Sequence, residues 1–192
     1  MKAIVYTKYG PPEVLQLKKV AKPTPKDDEV LIKVQAVSVN RSDWEGLKGK
    51  PLYARLGGLL RPRQQRLGSD IAGRVEMASR NIRRFQPGDE VFGDLLPRMG
   101  GFAEYVCARE SALALKPASM TFEVVAAIPQ AAVIALQGIR DKGQVQPGQR
   151  VLINGAGGGT GTFAVQLAKL YGAEVTGVDA KVSSANFAMT PF

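Results

Sequence analysis

The sequence predicts a chain of two parts: a partly closed antiparallel β-barrel over residues 1–118, then linking helices and the opening of a parallel α/β unit over residues 119–192. Three observations predict this division. In the first part, short β-prone runs alternate with Gly/Pro turns, the pattern of a small barrel. In the second, the apolar period lengthens to that of helices. There, too, an apolar strand, a glycine run and a helix follow one another directly, and a second strand comes next.

The elements follow in order. Ala3-Ile-Val-Tyr-Thr7 is short and β-prone, and residues 14–20 place Val14, Leu15, Leu17 and Val20 among lysines. Lys22-Pro-Thr-Pro-Lys-Asp-Asp28 is a turn, because proline fixes φ and aspartate bonds its own backbone. Residues 29–40 form the longest expected strand, with Val30, Ile32, Val34 and Ala36 on one face and Lys33 and Gln35 on the other. Residues 69–76, 90–93, 102–106 and 112–115 complete the barrel, and Gln86-Pro-Gly-Asp89 turns the chain into the second of these.

The second part opens at Thr121, an N-cap followed by an acidic first turn. Pro129 interrupts that helix, and residues 131–141 resume it. Gly143 and the turn Gln146-Pro-Gly-Gln149 end it. A buried strand at 151–153, a helix at 162–171 closed by Gly172, and a strand at 174–178 ending in Asp179 complete the pattern.

Composition excludes several chemistries. The chain has 192 residues and no histidine, so it has no Ser-His-Asp triad, no Cys-His pair and no imidazole metal ligand. Its single cysteine, Cys107, allows neither an intramolecular disulfide nor a thiolate cluster, and in a strand context it reads as a small packed thiol. No metal site is expected. The net charge of +9, with Arg55, Arg61, Arg63 and Arg66 close together, attracts phosphate-bearing ligands without choosing among them. The first residues carry too short an apolar run for a signal peptide, and no stretch matches a membrane span. The expectation is a cytoplasmic protein with no membrane partner.

The glycine run Asn154-Gly-Ala-Gly-Gly-Gly-Thr-Gly161 is the strongest local signal. Its spacing is A-x-G-x-x-G, on Ala156, Gly158 and Gly161, with Gly155, Gly157 and Gly159 filling the gaps and Thr160 among the cofactor-binding candidates. Glycine lets the backbone turn tightly and approach a pyrophosphate, and the following helix points free N–H groups at the phosphate. A strand before, a helix after and an acid at the end of the next strand make this a dinucleotide loop rather than a flexible turn. Asp179 follows Gly161 at about the twenty-residue spacing of a ribose-binding acid. Its charge favours NAD over a 2′-phosphate, which Lys181 would offset by pairing.

Together, Met1-Lys-Ala-Ile-Val-Tyr6, Val39-Asn-Arg-Ser-Asp-Trp44, Leu67-Gly-Ser-Asp-Ile-Ala-Gly73, Pro87-Gly-Asp-Glu-Val-Phe-Gly93, Gly101-Phe-Ala-Glu-Tyr105 and Val151-Leu-Ile-Asn-Gly155 resemble the medium-chain dehydrogenase/reductase superfamily. The zinc-independent quinone oxidoreductase branch is the nearer match. The resemblance implies a GroES-like β-barrel domain followed by a Rossmann domain, with NADP or NAD bound in the cleft between them. It implies hydride transfer to an electron-poor carbon of a small quinone, enone or aldehyde. Asn40 stands where zinc members carry a cysteine ligand, so the resemblance makes it a catalytic and cofactor-binding candidate beside the nicotinamide, with Asp43 shaping the same loop. Tyr53 is a candidate proton donor or substrate contact.

The chain departs from that pattern at two places. Ile134 stands where the resemblance expects threonine, and residues 181–192 do not resemble the family, so the Rossmann domain is expected to be incomplete and activity impaired. Two other readings stay open: a catalytically inactive basic module for RNA or another polyanion, and a nonfunctional fragment that folds as a homodimer completing its own sheet. The arginines lack the interleaved aromatics of a stacking platform, which sets nucleic acid aside as the first choice.

Overall fold

The computed structural model describes residues 1–56 and 58–180. The chain divides into two compact units, residues 1–130 and 131–192.

The first unit is built on a five-stranded antiparallel sheet. Its strands are β3 (Glu29–Val37), β4 (Asp70–Ala78), β5 (Glu90–Asp94), β6 (Tyr105–Arg109) and β7 (Leu113–Leu115), in spatial order β6-β3-β4-β5-β7. A hairpin of β1 (Lys2–Val5) and β2 (Gln16–Lys19) joins it through the bridge Ala3–Ala103 and the bond from Ile4 N–H to Phe102 O. The alternation along β3 does what the sequence predicts: Val30 and Ile32 are fully buried, and Lys33 and Gln35 face out. They pack with Ile71, Val75, Val91, Val106 and Leu113 into one core. Each such aliphatic side chain contributes about 1.5–3 kcal/mol on leaving water. Register shifts against β4 at Leu31/Ile32 and Val34/Ala36 bend β3, as bulges do.

Two local expectations change. The strand predicted to reach Asn40 ends at Val37, and helix α1 (Arg41–Lys48) follows, which the sequence reading did not expect. The reason is a reciprocal cap. The Asp43 carboxylate accepts the Asn40 backbone N–H at 2.8 Å while the Asn40 side chain caps the first turn, and Gly49 ends the helix in the left-handed region at φ 60°. Thr121 caps α2 (Phe122–Ala126) as expected, its hydroxyl accepting from Val124 N–H. The helix opened at Thr121 does stop before Pro129, and α3 (Pro129–Leu136) starts at that proline, two residues earlier than expected, since the first helical turn needs no N–H at that position. A π-helical turn, Gln137–Lys142, extends α3.

In the second unit β8 (Arg150–Asn154) and β9 (Glu174–Val178) pair in parallel, connected by α4 (Gly159–Leu170). Ile153, Ala164 and Ala168 pack with Ala135, Ile139 and Val145 in its core. Leu152 and Leu170 stay largely exposed. Helix α4 begins at Gly159, not Thr162, so the last glycines of the loop already belong to its first turn. Among the described residues no helix is long and apolar enough to cross a membrane.

Candidate functional site

The glycine loop joins β8 to α4. Gly155 turns the chain with φ 80°, a conformation that needs glycine, and its N–H and that of Ala156 both donate to Val178 O. Gly158 N–H donates to Gly155 O at 3.0 Å, and Gly157 N–H donates to Asp179 Oδ2 at 2.7 Å. The loop is thereby pinned to the end of β9. The N–H groups of Gly159, Thr160 and Gly161 find no acceptor among the described residues, as the first turn of a helix leaves them. They are the donors left for an anion. The cradle is tight: a Cβ on Gly161 would lie 1.9 Å from Gly155 O and 2.8 Å from Ala156 Cα. Asp179 is tied at both oxygens, Oδ1 accepting from Ala180 N–H at 2.7 Å. The fit of a dinucleotide rests on this cradle and its unpaired donors. Lys181 lies outside the described residues.

A second cluster lies in the first unit, where the end of β3, the start of α1, the start of β4 and the start of α3 meet. The Asn40 amide Nδ2 donates to Ser69 Oγ at 3.1 Å and to Ser38 Oγ at 3.3 Å. Asp43, buried, also accepts from Gly68 N–H at 2.8 Å, and burial raises its carboxyl above the ordinary range despite those donors. Asp70 is 0% exposed. Its Oδ2 accepts from Gln130 N–H at 3.0 Å, whereas Oδ1 has no hydrogen-bond partner among the described residues. Desolvation pushes Asp70 up to about 6, with Asp94 and Asp43 adding to the rise; the Gln130 N–H and the nearby Asn40 amide oppose it. The Gln130 side chain in turn accepts from the Ser42 hydroxyl at 3.0 Å.

Ser42 also lines a cavity of about 440 Å³, walled by Tyr6, Tyr9, Tyr53, Arg63 and Met99 among others. Tyr53 stands on a short 3-10 turn, Leu52–Arg55, with its hydroxyl donating to Glu45 Oε2 at 2.6 Å, while Arg41 holds the other carboxylate oxygen at 2.8 Å. The bond to Glu45 raises the Tyr53 phenol, which keeps it protonated. The structure therefore brings Asn40 to the polar cluster and Tyr53 to the cavity, with Ser42 common to both. Asp70, Ser69, Gln130 and Ser42 escape sequence reasoning. Only Asn40-x-x-Asp43, with its capping-box spacing, carried a local signal.

Cys107 is half-buried in β6, and burial pushes its thiol up to about 11, a packed thiol rather than a nucleophile. Of the clustered arginines, Arg55 is turned inward: it donates to Gly49 O at 2.9 Å and lies over the Tyr9 ring.

Residues 26–118 match the alcohol dehydrogenase GroES-like domain family. The chain is 37% identical over 185 residues to the chloroplastic quinone-oxidoreductase homolog of Spinacia oleracea, covering 92% of this chain and 54% of that protein. It is 36% identical over 182 residues to 2-methylene-furan-3-one reductase of Solanum lycopersicum, covering 90% and 45%. The crystal structure of Escherichia coli quinone oxidoreductase complexed with NADPH superposes with a TM-score of 0.83 at 25% identity, over 95% of this chain and 53% of that one. The chain spans about half the length of the curated relatives it matches.

Proposed function

The chain belongs to the medium-chain dehydrogenase/reductase superfamily, on its quinone oxidoreductase-like branch, and on that premise we propose that it acts as an NAD(P)H-dependent reductase of quinones and enones that uses no zinc. The carrying observation is the pinned glycine loop with three N–H groups at the start of α4 that have no acceptor among the described residues, beside the Asp179 carboxylate. Gly159, Thr160 and Gly161 would hold the pyrophosphate of the cofactor, because the helix dipole and their free N–H donors favour an anion. Asp179 accepts the adenosine ribose hydroxyls and disfavours a 2′-phosphate, which gives NADH the advantage over NADPH.

When bound, the nicotinamide supplies the hydride. The protein is asked to hold and orient reactants and to exclude water, which needs no strong acid or base if solvent provides the proton. In the first unit the cavity takes a flat, apolar ring between Tyr6, Tyr9 and Tyr53. Ser42 and Tyr53 are polar contacts on its wall, and Asn40 belongs to the polar cluster that Ser42 shares. With no histidine and one cysteine, the composition supports the zinc-free reading. We place the protein in the cytoplasm as part of the same proposal.

The test is turnover: loss of reduced nicotinamide absorbance with 1,4-naphthoquinone or cyclohexenone as acceptor. A rate that saturates in acceptor and in cofactor is expected. A background rate with either acceptor, for protein shown to be folded, contradicts the proposal.

A further inference from the structure

Asp70 is an expensive residue in its position. Its strand neighbours Ile71 and Ala72 are fully buried apolar side chains, and a buried carboxylate without a cation partner costs far more than either. Its Oδ1 lacks any hydrogen bond among the described residues. The groups that face it are Asp94 from β5 and Asp43 from α1, both acidic, and among the described residues it joins no ion pair. What the carboxylate does touch is informative. It accepts Gln130 N–H, at the start of α3, whose side chain holds the Ser42 hydroxyl on the cavity wall. It follows Ser69, the acceptor of the Asn40 amide, and its charge is felt by that amide.

We propose that Asp70 is a positioning residue: as a carboxylate it fixes Ser42, on the cavity wall, through Gln130, and the Asn40 amide of the same cluster through Ser69, so that the wall meets a quinone or enone in one orientation. The inference rests on the reading of the cavity as the acceptor site. Asp70 touches no reactant, since it is fully buried. It acts through the two residues that are accessible. A purely structural anchor would need only an acceptor for Gln130 N–H, and a neutral amide supplies one. Positioning by charge would fail with that amide.

Asp70→Asn separates the two. The first readout is the Asn40 side-chain amide pair in a nitrogen–proton correlation spectrum, assigned by its disappearance in Asn40→Ala and followed across pH. In the wild type the pair titrates with a midpoint near the Asp70 value of about 6. In Asp70→Asn it does not titrate, and the backbone spectrum shows the fold retained. Asp94→Asn keeps the titration but lowers its midpoint, because a like charge is gone. The second readout is affinity for menadione. It weakens about tenfold or more in Asp70→Asn at neutral pH, as misplaced contacts do, to the level of the wild type on the acid side.

An Asn40 pair that is flat with pH in the wild type, or that titrates identically in Asp70→Asn, overturns the inference. So does unchanged menadione affinity in a folded Asp70→Asn. Titration of the Asn40 pair without any cofactor binding would instead contradict the proposed function and leave the coupling standing.

Discussion

The two units build their sites from opposite materials. In the second, the groups aimed at a ligand are backbone N–H donors, and the space around Gly161 is filled by Gly155 and Ala156. In the first, they are side chains, Asn40 and Ser42, set by the buried Ser69 and by the half-buried Gln130, whose own N–H rests on the buried Asp70. The difference teaches where each site is fragile. A backbone cradle is broken by one added carbon and is indifferent to most charge changes nearby. A side-chain network tolerates an isosteric swap in shape and fails when a charge or a donor changes.

The largest expected effect breaks the cradle. Gly161→Val places a branched side chain against Gly155 O, where even a Cβ lies 1.9 Å away. Overpacking of that kind costs about 3 kcal/mol or more, and the loop can relax only by leaving its bonds to β9. Denaturant unfolding of the second unit and loss of saturable cofactor binding check it.

Next comes Asp70→Asn, which sharpens the contrast because it alters charge and leaves shape alone. The folded-state pKa of Asp70 lies near 6, above the ordinary 3.8. Between those values the folded chain keeps a proton that the unfolded chain has lost, so stability from this group falls as pH rises through the window. Above it the ionised carboxylate destabilises the fold by about 3 kcal/mol, at 1.36 kcal/mol per pKa unit. Asp70→Asn should therefore be more stable than the wild type near pH 8, the gain vanishing towards pH 4. Equal stabilities at pH 8, by urea denaturation, would show that the burial cost is met elsewhere.

The ease of reading the two sites follows from the same contrast. The glycine loop lies within one short segment, and its tight turn and helix start depend on neighbours in sequence, so A-x-G-x-x-G and Asp179 were legible together. The Asn40 cluster depends on pairs 29 and 60 residues apart, Asn40 with Ser69 and Asp70 with Gln130. Their proximity comes from strand pairing, which residue spacing does not encode. The barrel strands were legible because their alternation is local; the missed α1 lay behind a capping pair between Asn40 and Asp43 that reads as a strand end. Sequence also placed the start of α4 too late, because glycines suggest loop even where close approach to Gly155 winds them into a helix.

Smaller effects test single contacts. Asp179→Ala removes the carboxylate that holds Gly157 N–H and is proposed to hold the ribose. NADH affinity should fall about tenfold or more, NADPH affinity less, since charged hydrogen bonds contribute about 1.5–3 kcal/mol. Equal losses for the two cofactors would assign Asp179 to the loop alone. Tyr53→Phe deletes an exposed bond to Glu45. Thermal stability should stay as it was, with the Michaelis constant for the quinone rising severalfold. Cys107, raised to about 11, should react with iodoacetamide far more slowly at neutral pH than an unfolded cysteine does.

The most direct test of the central claim is a titration of the purified 192-residue chain with NADH and with NADPH, followed by nicotinamide fluorescence, alongside Gly161→Val. Saturable binding to the wild type, tighter for NADH, is expected, with none to the variant. No binding of either cofactor to the folded wild type at millimolar concentration would contradict the claim, as would equal binding to wild type and variant.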